Sequence, residues 1–266
     1  MLFRSRFALG GVTAAALLES LSPHYAWAQQ VPADDRRLQA EYMKYPSPQG
    51  HGTIKGYLAR PREGAGKWPA VLVVHENRGL NPYIEDVARR LAVANFLAFA
   101  PDALFPLGGY PGDEDKAREQ FQKLDQAKTR EDFIAAVAFL KARPESTGKI
   151  GAVGFCYGGG MVNFLATQVG SALSAAVCFY GSAPDSEAVA KIKSPLMVQS
   201  AEQDERINAS WPEFEKALKA ANVKYERFLY PGTQHGFNND TTPRYDAEAA
   251  KLAWGRTVAF FEKQLR

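Results

Sequence analysis

The chain has 266 residues, 46% of them hydrophobic, 23% charged and 12% aromatic. These are the proportions of an ordinary globular domain, and they exclude a chain that is disordered, fibrous or membrane-embedded as a whole. The formal charge is +3, from 32 Lys and Arg against 29 Asp and Glu. No basic run exceeds the pairs Arg36-Arg37 and Arg89-Arg90, so nucleic acid has no electrostatic footprint here and is not an expected partner. Cys156 and Cys178 are too few for a disulfide framework and are read one at a time.

The N-terminus opens with Arg4 and Arg6, continues through an apolar stretch from Phe7 to Leu18 rich in Ala and Gly, and reaches Ala26-Trp27-Ala28. A basic start, an apolar middle too short to span a bilayer and small residues at both cleavage positions predict a secretory signal removed after Ala28. Arg-Ser-Arg-Phe is only partly like a twin-arginine signal, because the arginines are not adjacent, and the export route stays open. The expected location is periplasmic or secreted, with no stable membrane insertion once residues 1–28 are removed.

Residues 29–50 read as a polar leader, and residues 51–266 as one domain. Thr53 to Arg60 is a predicted strand. Ala70-Val71-Leu72-Val73-Val74 is a short, continuously apolar, β-branched run, the pattern of a parallel strand buried on both faces. A helix is expected over Tyr83 to Ala94, a strand over Phe96 to Ala100, a Gly/Pro-rich loop over Pro101 to Gly112 and helical stretches up to Lys141. The rhythm continues with strand Ile150 to Phe155, helix Gly159 to Val169 and strands Ala175 to Tyr180, Leu196 to Ser200 and Tyr225 to Tyr230. Helices Ala209 to Ala220 and Ala247 to Gln264 complete it. Strands alternating with helices predict an α/β domain with a mostly parallel sheet covered on both faces. In such a sheet, reactive groups gather in loops at the carboxyl ends of strands.

Gly154-Phe155-Cys156-Tyr157-Gly158 lies between a predicted strand and a predicted helix. It fits the GxSxG nucleophile elbow with sulfur in place of oxygen; small residues on either side let a strained turn approach its neighbours. A helix N-terminus beneath Cys156 is expected to favour the thiolate, the attacking form. Cys178, inside an apolar run without flanking glycines, reads as a structural thiol. In this architecture the acid and then the histidine follow the nucleophile. Only His235 of the four histidines comes after Cys156, in Gly232-Thr233-Gln234-His235-Gly236-Phe237. The acid is expected after the preceding strand, in Ala201-Glu202-Gln203-Asp204-Glu205. Asp204 is the choice, with Glu202 and Glu205 as alternatives.

The GFCYGG elbow with the Asp204 and His235 loops resembles the dienelactone hydrolase family of the α/β-hydrolase superfamily, from about Thr53 to the C-terminus. The resemblance implies an α/β-hydrolase fold and a cofactor-independent carboxylic ester hydrolase of the carboxymethylenebutenolidase type. Such an enzyme cleaves a small ester or lactone through a thioester acyl-enzyme. It also implies that Glu76, after the strand Ala70 to Val74, tunes the cysteine in the resting enzyme, and that the N–H groups of Asn77 and Tyr157 form an oxyanion hole. The best-known members bind a substrate carboxylate with arginines after the Pro-Asp strand end and just past the histidine. Here those stretches read Pro101-Asp102-Ala103-Leu104-Phe105-Pro106-Leu107 and His235-Gly236-Phe237-Asn238-Asn239, without arginine. Arg78, Phe105 and Tyr180 are the candidate substrate-binding residues.

Two other readings stay open: a general carboxylesterase or thioesterase, and an exported thiol redox or binding protein on a silent fold. No metal is expected, because His75-Glu76 lacks a second histidine four residues on and the cysteines lack ligand spacing. Gly158-Gly159-Gly160 lacks the Lys-Ser/Thr of a phosphate loop.

Overall fold

A computed structural model describes residues 29–64 and 66–266, so the expected signal over residues 1–28 lies outside the described residues. Eight strands form one sheet: β1 (Leu38–Ser47), β2 (Gly52–Pro61), β3 (Trp68–Val74), β4 (Leu97–Pro101), β5 (Ser146–Phe155), β6 (Ala175–Phe179), β7 (Leu196–Gln203) and β8 (Tyr225–Gln234). The helices are α1 (Pro82–Val93), α2 (Glu114–Phe121), α3 (Gln126–Ala142), α4 (Tyr157–Gln168), α5 (Glu205–Asn208), α6 (Trp211–Ala220) and α7 (Ala247–Leu265). The spatial order is β1-β2-β4-β3-β5-β6-β7-β8. β1, β2 and β4 pair antiparallel, and every other pairing is parallel.

The parallel strands are buried on both sides because their residues alternate between two cores. Val71, Val73, Val153, Phe155, Val177 and Phe179 face α1 and α7. Ala70, Leu72, Val74, Ala152 and Ala176 face α3, α4 and α6 on the other side. Each fully buried Val, Leu or Phe contributes about 1.5–3 kcal/mol of transfer free energy, and this two-sided burial keeps the strand ends at fixed separations. α1 starts where its sequence says it should: Asn81 accepts from the Ile84 N–H at 3.2 Å and Pro82 occupies the first turn, both local start signals.

Residues 38–47, read as part of a polar leader, form the ten-residue strand β1 instead. β1 is an edge strand with one face open, so few of its side chains are buried and hydrophobic alternation is weak; its register comes from ten paired positions on β2. The main chain of Gln30 and Val31 is also tied in, donating to Asp86 of α1 at 3.1 and 2.8 Å. The expected helix over Ala209 to Ala220 is α6, preceded by the short helix α5, which was not expected, and the Gly/Pro-rich loop contains a 3-10 turn, Phe105–Leu107.

Chain order reverses direction across β3: β4 lies on one side and β5 on the other. The carboxyl ends of β3 and β5 therefore border a topological switch point, where open α/β sheets bind ligands.

Candidate active site

β5 ends at Phe155 and α4 starts at Tyr157, so Cys156 carries the whole turn, with φ 56° and ψ −113°. That left-handed φ is strained for any residue with a Cβ. The tightness behind it depends on glycine. A Cβ on Gly154 would sit 2.0 Å from the Gly158 carbonyl oxygen, and one on Gly158 would sit 2.2 Å from that of Val74. The elbow is held to the sheet by the Cys156 N–H, which donates to the Phe179 carbonyl at 3.0 Å.

Asp204 follows β7 directly and stands at the start of α5, but its side chain caps nothing. The carboxylate is free to turn toward His235, which follows β8, and its Oδ2 lies 2.5 Å from the imidazole Nδ1. The two residues are 31 positions apart in sequence, and parallel pairing of β7 with β8 is what makes them neighbours. Tyr180, just past β6 with φ 37°, has its ring 5.0 Å from that of His235. Its buried hydroxyl has no hydrogen-bond partner among the described residues.

Glu76 lies two residues past β3, where Asn239 Nδ2 donates to its Oε2 at 2.7 Å. Burial raises the Glu76 pKa, and the Asn239 hydrogen bond and the charges of Arg78 and Arg244 act against the rise. Cys156 differs from the sequence expectation. Its thiol is pushed up to about 11, first by burial and then by the charge of Glu76; the Tyr157 N–H, Arg206 and Arg78 pull the other way without winning. The donors at the helix start are present, but desolvating a thiolate and placing it beside a carboxylate cost more. Cys156 therefore rests as a thiol.

The main-chain segment carrying Asn77 is clamped by His75. The His75 Nε2 accepts from the Ala103 N–H at 3.2 Å, so the ring proton sits on Nδ1 and is donated to the Glu76 carbonyl at 2.5 Å. Burial lowers the His75 pKa to about 4, so the ring is neutral. Among the described residues, no main-chain hydrogen bond uses the Asn77 N–H. At the first position of α4, the Tyr157 N–H has no intrahelical acceptor.

Arg78 is paired with Glu114 at 3.4 Å and donates to Asn77 Oδ1. Phe105 is not brought into this cluster: it lies beneath Lys44 of β1, 5.6 Å from the ammonium. Asn239, Arg206, Arg244 and His75 were missed as site residues. Arg206, in α5, and Arg244, in the loop before α7, lie within the electrostatic reach of Cys156 and Glu76 respectively, on segments that carry no motif. Cys178 is buried and held by Asn163 Nδ2 at 3.3 Å. Among the described residues, no three His, Cys, Asp or Glu side chains are grouped to hold a metal ion.

A parallel sheet with helices on both faces, a strained elbow at the end of β5 and an acid–histidine pair at the ends of β7 and β8 define an α/β hydrolase. The model of the dienelactone hydrolase family matches residues 54–265, and the chain belongs to that family. It is 59% identical over 114 residues to "Putative hydrolase fragment YghX" of Escherichia coli, covering 43% of this chain and 97% of that protein. A "Putative carboxymethylenebutenolidase" of Methylorubrum extorquens is 32% identical over 231 residues, 81% of this chain and 79% of that one. Among solved structures, "Putative Dienelactone Hydrolase from Klebsiella pneumoniae subsp. pneumoniae MGH 78578" superposes with a TM-score of 0.74 at 27% identity, covering 85% of this chain and 99% of that chain. The protein is thus a hydrolase of the dienelactone hydrolase type.

Proposed function

We propose that Cys156 is the nucleophile of a cofactor-independent hydrolase that cleaves small esters or lactones through a thioester. The observation that carries this reading is the Asp204–His235 pair, 2.5 Å apart, at the same carboxyl end of the parallel strands as the strained Cys156 turn. His235 takes the thiol proton as sulfur attacks the carbonyl carbon, and Asp204 holds the imidazole tautomer and steadies the imidazolium. The negative charge on the carbonyl oxygen is met by the N–H groups of Asn77 and Tyr157. Collapse breaks the carbon–oxygen bond, His235 returns the proton to the leaving oxygen, and a thioester remains. Water then adds to it with His235 as base, releasing the acid and the thiol.

Glu76 keeps Cys156 protonated between turnovers, which slows oxidation, since the thiolate is the oxidisable form. The chain is exported and acts in the periplasm or outside the cell, a reading that rests on residues 1–28 and is tested by sequencing the N-terminus of the exported protein. Hydrolysis of a dienelactone, a saturated lactone and an aryl acetate by wild type and Cys156→Ala tests the chemistry. The variant should lose all turnover, and full activity in it would refute the assignment. Preference for the aryl acetate would identify a general esterase, a reading favoured by the stretch His235 to Asn239, which carries no arginine and whose Asn239 is committed to Glu76.

A further inference from the structure

α7 uses only one of its faces for the fold. Ala253, Thr257, Phe260 and Phe261 are buried against the sheet, while Leu252, on the opposite side, is 50% exposed. With Ala249, Gly255 and Ala259, Leu252 lines an open, mostly apolar groove of about 870 Å3 whose far wall is Tyr230 and Pro231 of β8. β8 is the last strand of the sheet, and its Leu229 is 48% exposed. An apolar helix face beside an open sheet edge is a surface that natural proteins usually cover or guard.

The charges along this groove are ordered. Glu248 lies toward the start of the helix, and Lys251 and Arg256 lie beyond it. Arg256 is held flat over the Phe228 ring at 4.0 Å and donates to the Tyr230 hydroxyl at 3.0 Å. Among the described residues, neither Glu248 nor Arg256 takes part in an ion pair, although the next acid along the helix, Glu262, does so with Arg266.

We propose that this face binds a second copy of the chain, α7 packing antiparallel on the partner's α7 about a two-fold axis through Leu252. In such a pair, residues equidistant from the axis face each other. Glu248 and Arg256 are each four positions from Leu252, and Ala249 and Gly255 are each three. Leu252 therefore meets the partner's Leu252, and Glu248 meets the partner's Arg256. Symmetry repeats that ion pair. Ala249 meets the partner's Gly255, where a Cβ would find no atom of the described residues within 4 Å, so the two backbones approach closely. These residues share one helix face, being spaced three and four apart. An apolar small molecule would fill the groove, but it would leave both charges unanswered; a second copy answers them with the same residues.

The test is the mass in solution of the purified chain by sedimentation velocity and light scattering. At roughly 100 µM, far above a micromolar dissociation constant, wild type is expected at twice the chain mass. Leu252→Asp, which places like charges on the axis, should be monomeric. Glu248→Arg and Arg256→Glu should each weaken the dimer at least tenfold, and the double variant Glu248→Arg/Arg256→Glu should recover to within about threefold of wild type. Unchanged circular dichroism and melting identify each variant as folded, and the double variant carries both substitutions as its own control. A monomeric wild type would overturn the proposal, including one whose groove is covered by residues 1–28 as shown by cross-linking from position 252. So would a dimer indifferent to Leu252→Asp, or a double variant that stays as weak as the singles.

Discussion

Replacing Glu76 with Gln should make Cys156 more acidic. The thiol stands at about 11 against an ordinary 9.0, with burial the first cause and the Glu76 charge the second. At pH 8, a midpoint of about 11 leaves roughly one thiol in a thousand ionised. A like charge beside a titrating group typically moves its equilibrium by about one to three powers of ten. Because Glu76 ranks behind burial here, the low end applies: Glu76→Gln should raise the thiolate fraction at pH 8 roughly tenfold. Gln keeps the shape and an oxygen to accept from Asn239 Nδ2, so the loop should stay in place. The pH dependence of the thiolate ultraviolet absorbance and of the alkylation rate by iodoacetamide reads the midpoint directly, with Cys178, buried and pushed up to about 12, as a silent background. A midpoint that stays put or rises would refute the view that Glu76 opposes ionisation of Cys156.

Asp204→Asn should lower kcat by roughly 10^3-fold or more with little change in KM, since it removes the charge that steadies the imidazolium and fixes its tautomer; steady-state kinetics on the best ester decides. His75 binds fewer protons folded than unfolded, because its pKa falls from 6.5 to about 4. Its contribution to stability is therefore complete above about pH 6.5 and lost as pH falls toward about 4. Denaturant midpoints for His75→Gln should accordingly vary less over that window than those of wild type. Phe155→Ala should cost about 3–5 kcal/mol in urea unfolding, because Phe155 is fully buried and its ring contacts those of Tyr83 and Phe179 at 5.9 and 4.8 Å. Gly154→Ala should yield little folded protein, as its Cβ would have 2.0 Å to the Gly158 oxygen; expression and solubility measure it.

Periodicity is a local property, so the buried strand Ala70 to Val74 and the alternation of strands with helices were legible in the chain itself. The elbow was legible for a related reason: Gly154 and Gly158 mark a backbone that no other residue fits, and that requirement is written within five positions. The Asp204 and His235 loops could be located by chain order once the elbow was known. β1 could not be read, because an edge strand buries too little to leave a clean hydrophobic pattern, and its identity comes from its partner β2.

What tertiary structure decided is the electrostatics. Whether Cys156 rests as thiol or thiolate depends on burial and on charges from Glu76, Arg78 and Arg206, which the loop after β3 and the short helix α5 deliver to one point. Asn239 reaches Glu76 across 163 positions, and His75 joins two strand ends that lie 28 apart. A helix N-terminus next to a cysteine predicts an acidic thiol from sequence alone. Desolvation and a facing carboxylate reverse that sign, because both sum over neighbours that only the folded sheet brings together.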